Sequence, residues 1–279
     1  MKRFERKWIM LTTLVLDLKY QEHTKKLTLP ENYTIHSNKL TVTDLPVKEI
    51  LMITDHLNGC TFASTHSLPC IAIQNAINKD ENLSAATIIY EDISNLDSHV
   101  LMEEYNRYYS LPVTILTTKR LLIRELGVDE IEKLYPIYKN SKHTKYLPPL
   151  GSLEEEQEKH KAYMKYVYNF YRFGLWGAFL KDTDTLIGRV GIQCIDLGQD
   201  SYIELAYLID ASYTQQGYAY EACQAILRYA KEELYLPSLI ALIHPENVAS
   251  IALIKKLGFS FEKETPYLGT TCLQYRIDF

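Results

Sequence analysis

The chain has 279 residues, of which 47% are hydrophobic and 23% are charged, and its net charge is −5 at pH 7. This composition is that of a folded protein with one large domain or two smaller ones. Because the balance is acidic and lysine and arginine form no long run, we expect no nucleic-acid partner. No stretch approaches the roughly 18 apolar residues of a membrane span, so we expect no membrane partner.

Two further features bear on the cellular compartment. Basic residues within positions 2–7 precede Trp8-Ile9-Met10-Leu11, which resembles a signal peptide, but polar residues soon interrupt the apolar run and no cleavage site follows. The five cysteines are scattered and include no Cys-x-x-Cys pair: Cys60, Cys70, Cys194, Cys223 and Cys272. This spacing indicates neither a disulfide framework nor a metal site, and we expect a cytoplasmic protein.

Residues 1–115 are predicted to form a small Rossmann-like α/β domain. Short apolar runs at Ile50–Thr54, Cys70–Ile73 and 87–90 are separated by segments of helical length, and a helix is predicted over 97–109. Continuous apolar strands of this kind are typical of a parallel sheet that helices cover. The residues before Lys48 predict no particular element.

The order strand–Asp, helix, Leu-Pro–strand over residues 48–110 resembles the later part of a haloacid dehalogenase-like fold. The nucleophile motif of those phosphatases, Asp-x-Asp, is absent, because Asp55 ends a strand without a second aspartate two residues later. We therefore expect an accessory domain without catalytic activity. Its boundary with the second domain is predicted near residue 115, in a bridge over residues 106–119.

Residues 116–279 predict a mixed α/β fold. The predicted strands are 118–126, 175–180, 186–195, 202–209, 239–243, 259–264 and 271–277, and the predicted helices are 129–138 with Asp129 as the cap, 152–172, one after Gly217, and 248–257. The helix after Gly217 has apolar residues at three-to-four spacing: Ala222, Cys223, Ile226, Leu227, Ala230 and Leu234. A helix start carries unpaired N–H groups that attract phosphate, and glycine lets the backbone approach an anion closely.

Two motifs within this order resemble those of the GNAT N-acetyltransferases. The loop Thr214-Gln215-Gln216-Gly217-Tyr218-Ala219 is similar to the family's pyrophosphate loop, Arg/Gln-x-x-Gly-x-Gly/Ala, and departs from it at Thr214. The segment from Asn247 to Phe259 matches Asn-x-x-Ser/Ala-x-x-x-x-x-Lys-x-Gly-Phe. The resemblance extends over essentially the whole second part. Thr-x-Arg-Leu-x-Ile-Arg at 118–124 and Glu-Leu-Ala-Tyr at 204–207 resemble the branch that contains ribosomal-protein-alanine acetyltransferases.

The resemblance implies an enzyme that moves acetyl from acetyl-CoA directly to a primary amine. It implies that strands four and five part around the pantetheine arm, with a bulge in strand four that frees the backbone of Tyr207, Leu208 and Ile209. The pyrophosphate is expected on the main-chain N–H groups of Gln215, Gln216, Gly217, Tyr218, Ala219 and Tyr220. Asn247 is expected to bind the pantetheine arm, to cap its helix, or to do both.

Two catalytic roles follow from the resemblance. The tyrosine that protonates the departing thiolate in many family members is replaced by Ile254, so Ser250 is the candidate donor to sulfur; the alternative is a plain helix-start hydroxyl. Glu204 on strand four is the candidate general base, acting through water; the alternative is an exposed strand glutamate. His244 and Glu246 are weaker candidates for the base.

The base matters more for some acceptors than for others. A lysine-like amine, with a pKa of about 10.4, is only about 0.04% neutral at pH 7, a cost of roughly 4.6 kcal/mol, whereas an α-amine costs about 1 kcal/mol. The acceptor stays open between a protein N-terminus, a small amine, an amino acid and an antibiotic, with acceptor residues expected in 146–176 and 267–272. We expect a monomer or a homodimer.

Two other functions compete with acetyl transfer. One is a noncatalytic acyl-CoA-binding or regulatory module whose first domain senses a ligand. Ile254 and Thr214 favour it, because both depart from the family pattern. The other is a degenerate phosphatase with a fused domain, which the missing nucleophile pair excludes.

Overall fold

The computed structural model describes residues 10–26, 33–37, 46–139 and 144–279. The chain divides into two compact units, Met1–Leu111 and Pro112–Phe279. The basic segment at positions 2–7, which resembles the start of a signal peptide, lies outside the described residues. Among the described residues, no helix has both the length and the apolar character needed to cross a membrane.

The first unit contains a parallel sheet of five strands in the order β2-β1-β3-β4-β5. Its elements are β1 (Thr13–Asp17), α1 (Gln21–Lys26), β2 (Thr34–Ser37), β3 (Ile50–Thr54), α2 (Leu57–Thr65), β4 (Cys70–Ile73), β5 (Ile88–Tyr90) and α3 (Ser98–Tyr108). Every residue of β3 and β4 is buried, because two apolar clusters, one with α2 and one with α3, cover the sheet. The three predicted strands are confirmed, and β1 and β2 are additions that the sequence did not predict.

Asp55, which follows β3, is completely buried and fully engaged within the first unit. Its carboxylate accepts hydrogen bonds from the backbone N–H groups of Lys19 (2.7 Å) and Tyr20 (3.0 Å). His23 Nδ1 lies 2.9 Å from the same carboxylate. These contacts fix the chain after β1 to the end of β3, which gives Asp55 a structural role.

The second unit contains a sheet of eight strands in the order β12-β13-β11-β10-β9-β8-β7-β6. The strands are β6 (Thr114–Thr117), β7 (Leu121–Arg124), β8 (Leu175–Leu180), β9 (Leu186–Leu197), β10 (Asp200–Ile209), β11 (Ser238–Ile243), β12 (Ser260–Tyr267) and β13 (Thr270–Asp278). The helices are α4 (Leu134–Tyr138), α5 (Leu153–Tyr163, extended by a π-helical turn and a last turn to Tyr171), α6 (Tyr218–Glu232) and α7 (Val248–Lys256). All neighbouring strands are antiparallel except β10 and β11. The predicted mixed α/β class is confirmed.

The predicted face of α6 is the face that packs in the core. Its buried residues are Ala222, Cys223, Ile226, Leu227 and Ala230. They join a cluster that also contains Trp176 of β8 and Leu239 of β11, both completely buried. The hydrophobic effect therefore fixes α6, and with it the loop at its N-terminus, against the middle of the sheet.

The chain divides between Leu111 and Pro112, and the boundary was predicted near residue 115. The predicted bridge contains β6, an edge strand antiparallel to β7. One expectation about the start of the second unit is wrong, namely that Asp129 caps a helix. The helix expected from Asp129 begins as a 3₁₀ turn, Val128–Lys133, which precedes α4. Glu130 fixes this turn instead of Asp129, since its Oε2 accepts a hydrogen bond from Gly127 N (3.1 Å).

Glu130 also holds a buried arginine. Arg124 Nη1 and Nη2 donate to the two carboxylate oxygens of Glu130 at 2.6 and 2.8 Å, and Lys133 Nζ donates to Oε1 at 2.9 Å. Burial alone would raise the pKa of Glu130, but the hydrogen bonds from Arg124, Lys133 and Gly127 lower it to about 2. A lowered carboxyl pKa stabilises the fold above the unfolded value and loses that effect as the pH falls toward 2.

We predict that Glu130→Gln lowers the free energy of unfolding of the second unit by about 3 kcal/mol at pH 7, because it leaves the buried Arg124 guanidinium with only the exposed carboxylate of Asp184, 3.8 Å from Nη2, as a counter-charge. The difference from wild type should shrink between about pH 4.3 and pH 2, where Glu130 becomes protonated in the wild type as well. Urea unfolding at several pH values measures both effects. Glu132→Gln, which changes an exposed carboxylate on the same turn, is the control; equal losses in the two variants would contradict the account.

Candidate active site

The site lies where two central strands part. β10 is antiparallel to β9 in an unbroken register from Asp200↔Leu197 to Ile209↔Gly188. β10 and β11 are parallel and are paired at a single position, Glu204↔Ile240. The predicted parting of strands four and five is thus confirmed, whereas the predicted bulge in strand four is absent from the β9–β10 register. The β10 edge beyond Glu204 is open because β11 diverges, and a bulge is not needed.

Glu204 lies at the fork, the point where β10 and β11 part, and it is 6% exposed. Gln193 Nε2 donates a hydrogen bond to its Oε2 (2.8 Å). Burial raises the pKa of Glu204, and the hydrogen bond from Gln193 and the nearby backbone N–H of Leu242 on β11 oppose the rise. The alternative interpretation of Glu204 as an exposed strand residue is therefore wrong.

The loop that follows β10 is built to start a helix with its N–H groups free. Asp210 Oδ1 accepts a hydrogen bond from Ser212 N (2.7 Å) and so caps a 3₁₀ turn, Ala211–Tyr213. Gln215 and Gly217 then adopt left-handed conformations, with φ of 60° and 82°, and α6 begins at Tyr218. Glycine at the second of these positions takes the conformation without the strain that a Cβ brings.

The loop and the parted strands enclose a cavity of about 590 Å³. It is lined by Lys145, Tyr146, Leu147, Tyr207, Leu208, Ile209, Tyr213, Thr214, Gln215, Gly217, Tyr218, Ala219, Tyr220, Glu246, Asn247, Val248, Ala249, Ser250 and Leu253. The structure thus brings together the residues predicted to bind the cofactor, with the exception of Gln216. The side-chain amide of Gln216 donates a hydrogen bond to Ser212 O (3.0 Å). The backbone carbonyl of Gln216 accepts a hydrogen bond from Arg120 Nη1 (2.9 Å).

α7 forms the opposite wall of the cavity. Asn247 Oδ1 accepts a hydrogen bond from Ser250 N (3.2 Å), so Asn247 caps the helix while it also lines the cavity. Ile254 is completely buried in the core and does not line the cavity. At the other end of α7, Gly258 has a φ of 96°, and the next residue, Phe259, is buried in the core.

The sequence did not single out the phenol of Tyr207. Its hydroxyl donates a hydrogen bond to Ser250 O (3.3 Å), which links β10 to α7 across the cavity. Burial raises the pKa of Tyr207, so the phenol keeps its proton at neutral pH. Strand alternation could have placed this side chain on the same face as Leu205, but it could not have shown that α7 lies within reach.

The two weaker candidates for the base are engaged elsewhere. His244 Nδ1 accepts a hydrogen bond from Glu246 N (3.2 Å), and its ring stacks on Tyr146 with 4.3 Å between centroids. Glu246 is paired with Lys145 at 3.3 Å, and the hydrogen bond from Lys145 lowers the pKa of this carboxyl. A carboxylate with a lowered pKa is a weaker base, which favours Glu204 over Glu246.

Part of one segment expected to contact the acceptor lies near Glu204. Burial raises the pKa values of Tyr267 on β12 and Cys272 on β13, and the nearby Glu204 carboxylate adds to both shifts. The β12–β13 hairpin therefore approaches the fork. In the other expected segment, Tyr146 lines the cavity.

Comparison with known proteins identifies the family. Residues 120–260, which lie within the second unit, match the family described as Acetyltransferase (GNAT) domain. The chain belongs to the GNAT acetyltransferase family. It is 35% identical over 147 residues, 53% of this chain and 83% of the relative, to the uncharacterized N-acetyltransferase YnaD of Bacillus subtilis (strain 168). The chain is accordingly an N-acetyltransferase, as the sequence predicted.

Solved GNAT structures have the same fold. The acetyltransferase from Agrobacterium tumefaciens str. C58 aligns with a TM-score of 0.50 and 25% identity, over 59% of this chain and 94% of its own. RimL, a ribosomal L7/L12 alpha-N-protein acetyltransferase, aligns with a TM-score of 0.52 and 16% identity, over 61% of this chain and 96% of its own. At that identity the likeness to RimL concerns the fold. Among the described residues of our GNAT chain, no group of histidine, cysteine, aspartate or glutamate side chains is arranged to hold a metal ion.

Proposed function

We propose that the second unit transfers acetyl from acetyl-CoA to a primary amine by direct attack. The observation that carries the proposal is the cavity between β10 and β11, which has the open edge of one strand on one side and a helix N-terminus at its mouth. The open strand edge suits the extended arm that carries the thioester, and the helix N-terminus suits the diphosphate at the end of that arm. A volume of about 590 Å³ lies within the range of small-molecule sites.

The lining residues fit such a ligand. The backbone of Tyr207, Leu208 and Ile209 would pair with the amides of the pantetheine arm as an added strand does. The N–H groups at the start of α6 would hold the diphosphate, helped by the helix dipole. Among the lining residues the one carboxylate, Glu246, is neutralised by Lys145, so no free negative charge faces the phosphates.

The reaction needs two proton movements. The amine nitrogen attacks the thioester carbonyl, the C–N bond forms, and the C–S bond breaks with the electron pair on sulfur. Glu204 would take the proton from the amine through water, since its raised pKa makes it a better base than an ordinary carboxylate. Ser250, which lines the cavity, would donate a proton to the thiolate.

The acceptor is a primary amine of a small molecule or of a protein N-terminus. A buried glutamate at the point where β10 and β11 part extends the range of acceptors beyond α-amines, because removing the proton of a lysine-like amine at pH 7 costs roughly 4.6 kcal/mol, whereas removing that of an α-amine costs about 1 kcal/mol. We propose that the first unit, with Asp55 fully engaged in its own fold, is a noncatalytic accessory domain.

Thioester consumption with the full-length protein tests the proposal. Acetyl-CoA should be consumed faster with at least one class in a panel of peptides with free N-termini, polyamines, amino acids and aminoglycosides. Calorimetric titration with CoA runs in parallel. Binding without turnover in any class would favour the noncatalytic acyl-CoA-binding module, and the absence of binding would contradict both functions.

Gly217→Ala should weaken the binding of CoA by about tenfold, because a Cβ in a left-handed conformation costs roughly 1–2 kcal/mol and the loop would relax to avoid it. Gly198→Ala is a matched control, since Gly198 has a φ of 69° in the β9–β10 turn and no neighbour within 4 Å of its Cβ position. It should be strained to a similar degree and bind CoA as the wild type does. Equal affinities of the two variants for CoA would contradict a phosphate-binding role for the loop.

Glu204→Gln should lower kcat/KM for a lysine-like amine by about 100-fold, which is at the lower end of general-base effects. Because burial raises the pKa of Glu204, the wild-type rate should fall as the pH drops through that raised pKa, and this limb should vanish in the variant. Glu264→Gln, the same change at an exposed position of β12, should leave the profile intact. An unchanged pH–rate profile in Glu204→Gln would remove Glu204 from the mechanism.

Ser250→Ala should lower kcat by about 100-fold and leave the affinity for acetyl-CoA unchanged, since the hydroxyl acts on the departing sulfur. Tyr207→Phe, measured beside it, removes a second hydroxyl of a residue that lines the cavity, one that is hydrogen-bonded to Ser250 O. Normal turnover in Ser250→Ala together with slow turnover in Tyr207→Phe would transfer the proton-donor role to Tyr207.

A further inference from the structure

Arg120 touches the phosphate-binding loop from the side away from the cavity. Its Nε donates to Glu221 Oε2 at 2.6 Å, and its Nη1 donates to the carbonyl of Gln216 at 2.9 Å. Its guanidinium carbon lies 4.0 Å from the ring centroid of Tyr218. This one side chain from the β6–β7 turn therefore contacts the loop and the start of α6 at three places. They are the backbone carbonyl of Gln216, the ring of Tyr218 and the carboxylate of Glu221.

The partners of Arg120 are themselves fixed. Glu221 Oε1 accepts hydrogen bonds from Thr118 Oγ1 (2.6 Å) and from the backbone N–H of Arg120 (2.8 Å). A guanidinium that makes a charge-assisted hydrogen bond and stacks on an aromatic ring has a defined orientation, which an ammonium lacks. The orientation of the Arg120 guanidinium is thus fixed before any ligand binds.

The hydrogen bond to Gln216 has a direct consequence for Gly217. The carbonyl of Gln216 and the N–H of Gly217 belong to one trans peptide, so the two groups point in opposite directions. Because Arg120 holds the carbonyl, the N–H of Gly217 points away from Arg120. Gly217 lines the cavity and Arg120 does not.

We propose that Arg120 is the positioning residue of the loop: by holding the carbonyl of Gln216, it keeps the Gly217 N–H turned toward the diphosphate of the bound cofactor. Released from Arg120, this peptide can rotate and present its carbonyl oxygen to the phosphates, which repels them. The inference rests on the proposed function, since it assigns a cause to the affinity of that same site. Arg120 acts through the loop and touches neither the thioester nor the amine.

The test measures the dissociation constant of CoA by calorimetry, together with kcat and KM for acetyl-CoA, for the full-length protein. Arg120→Ala should raise the dissociation constant and KM by about tenfold, the size expected for one lost hydrogen bond from a charged group, with kcat at saturation unchanged. The dissociation constant of Arg120→Lys should lie between those of this variant and of wild type, because one ammonium cannot replace the several donors of the guanidinium. Lys119→Ala, which removes the neighbouring exposed cation, is the control and should bind CoA normally.

Arg120→Ala that binds CoA as tightly as wild type would overturn the proposal, and so would a fall in kcat with KM unchanged. If circular dichroism shows that Arg120→Ala is unfolded, Arg120→Lys decides by the same criterion: weaker CoA binding supports the proposal and wild-type binding overturns it. The proposed function fails in a different way, because in that case the wild-type protein itself does not bind CoA or does not turn over acetyl-CoA.

Discussion

The whole site depends on the parting of β10 and β11 after one pair of residues. Strands in a sheet normally stay paired, because an unpaired buried N–H or C=O group is costly. Here Glu204, the one residue of β10 that pairs with β11, is buried, and its carboxylate accepts a hydrogen bond from Gln193 Nε2 on β9 (2.8 Å). The parallel direction of the two strands requires a crossover connection, and α6 is that connection. The fork and the helix N-terminus at its mouth are therefore two results of one topology.

The electrostatics of the mouth follow from which charges are already paired. Arg120 and Glu221 neutralise each other beneath the loop, and Lys145 and Glu246 do so at the opposite wall. The loop residues that line the cavity are largely aromatic or small. The diphosphate binding that we propose would then rely on oriented backbone dipoles rather than on a cluster of free cations, which agrees with a chain whose net charge is negative.

The sequence predicted elements whose patterns are local. β3 and β8 have the predicted bounds, because continuous apolar runs such as Leu175–Leu180 end at turn residues. β1, β2 and β6 went unpredicted, since short strands are decided by their partners across the sheet. The loop glycine was predictable from its motif, whereas the phenol of Tyr207 was not, because its partner on α7 lies more than forty residues away. The wrong bulge came from the family resemblance, and the unbroken register of β9 and β10 corrects it.

Hydrogen exchange with and without CoA, followed by mass spectrometry, tests the central claim most directly. If the arm pairs with the β10 edge and the diphosphate sits on the loop, CoA should slow exchange at the amides of residues 207–209 and 215–220. The amides of the β9–β10 turn, near Gly198, should exchange at the same rate in both states. Saturating CoA that leaves 207–209 and 215–220 unprotected, while it protects residues elsewhere, would contradict the account.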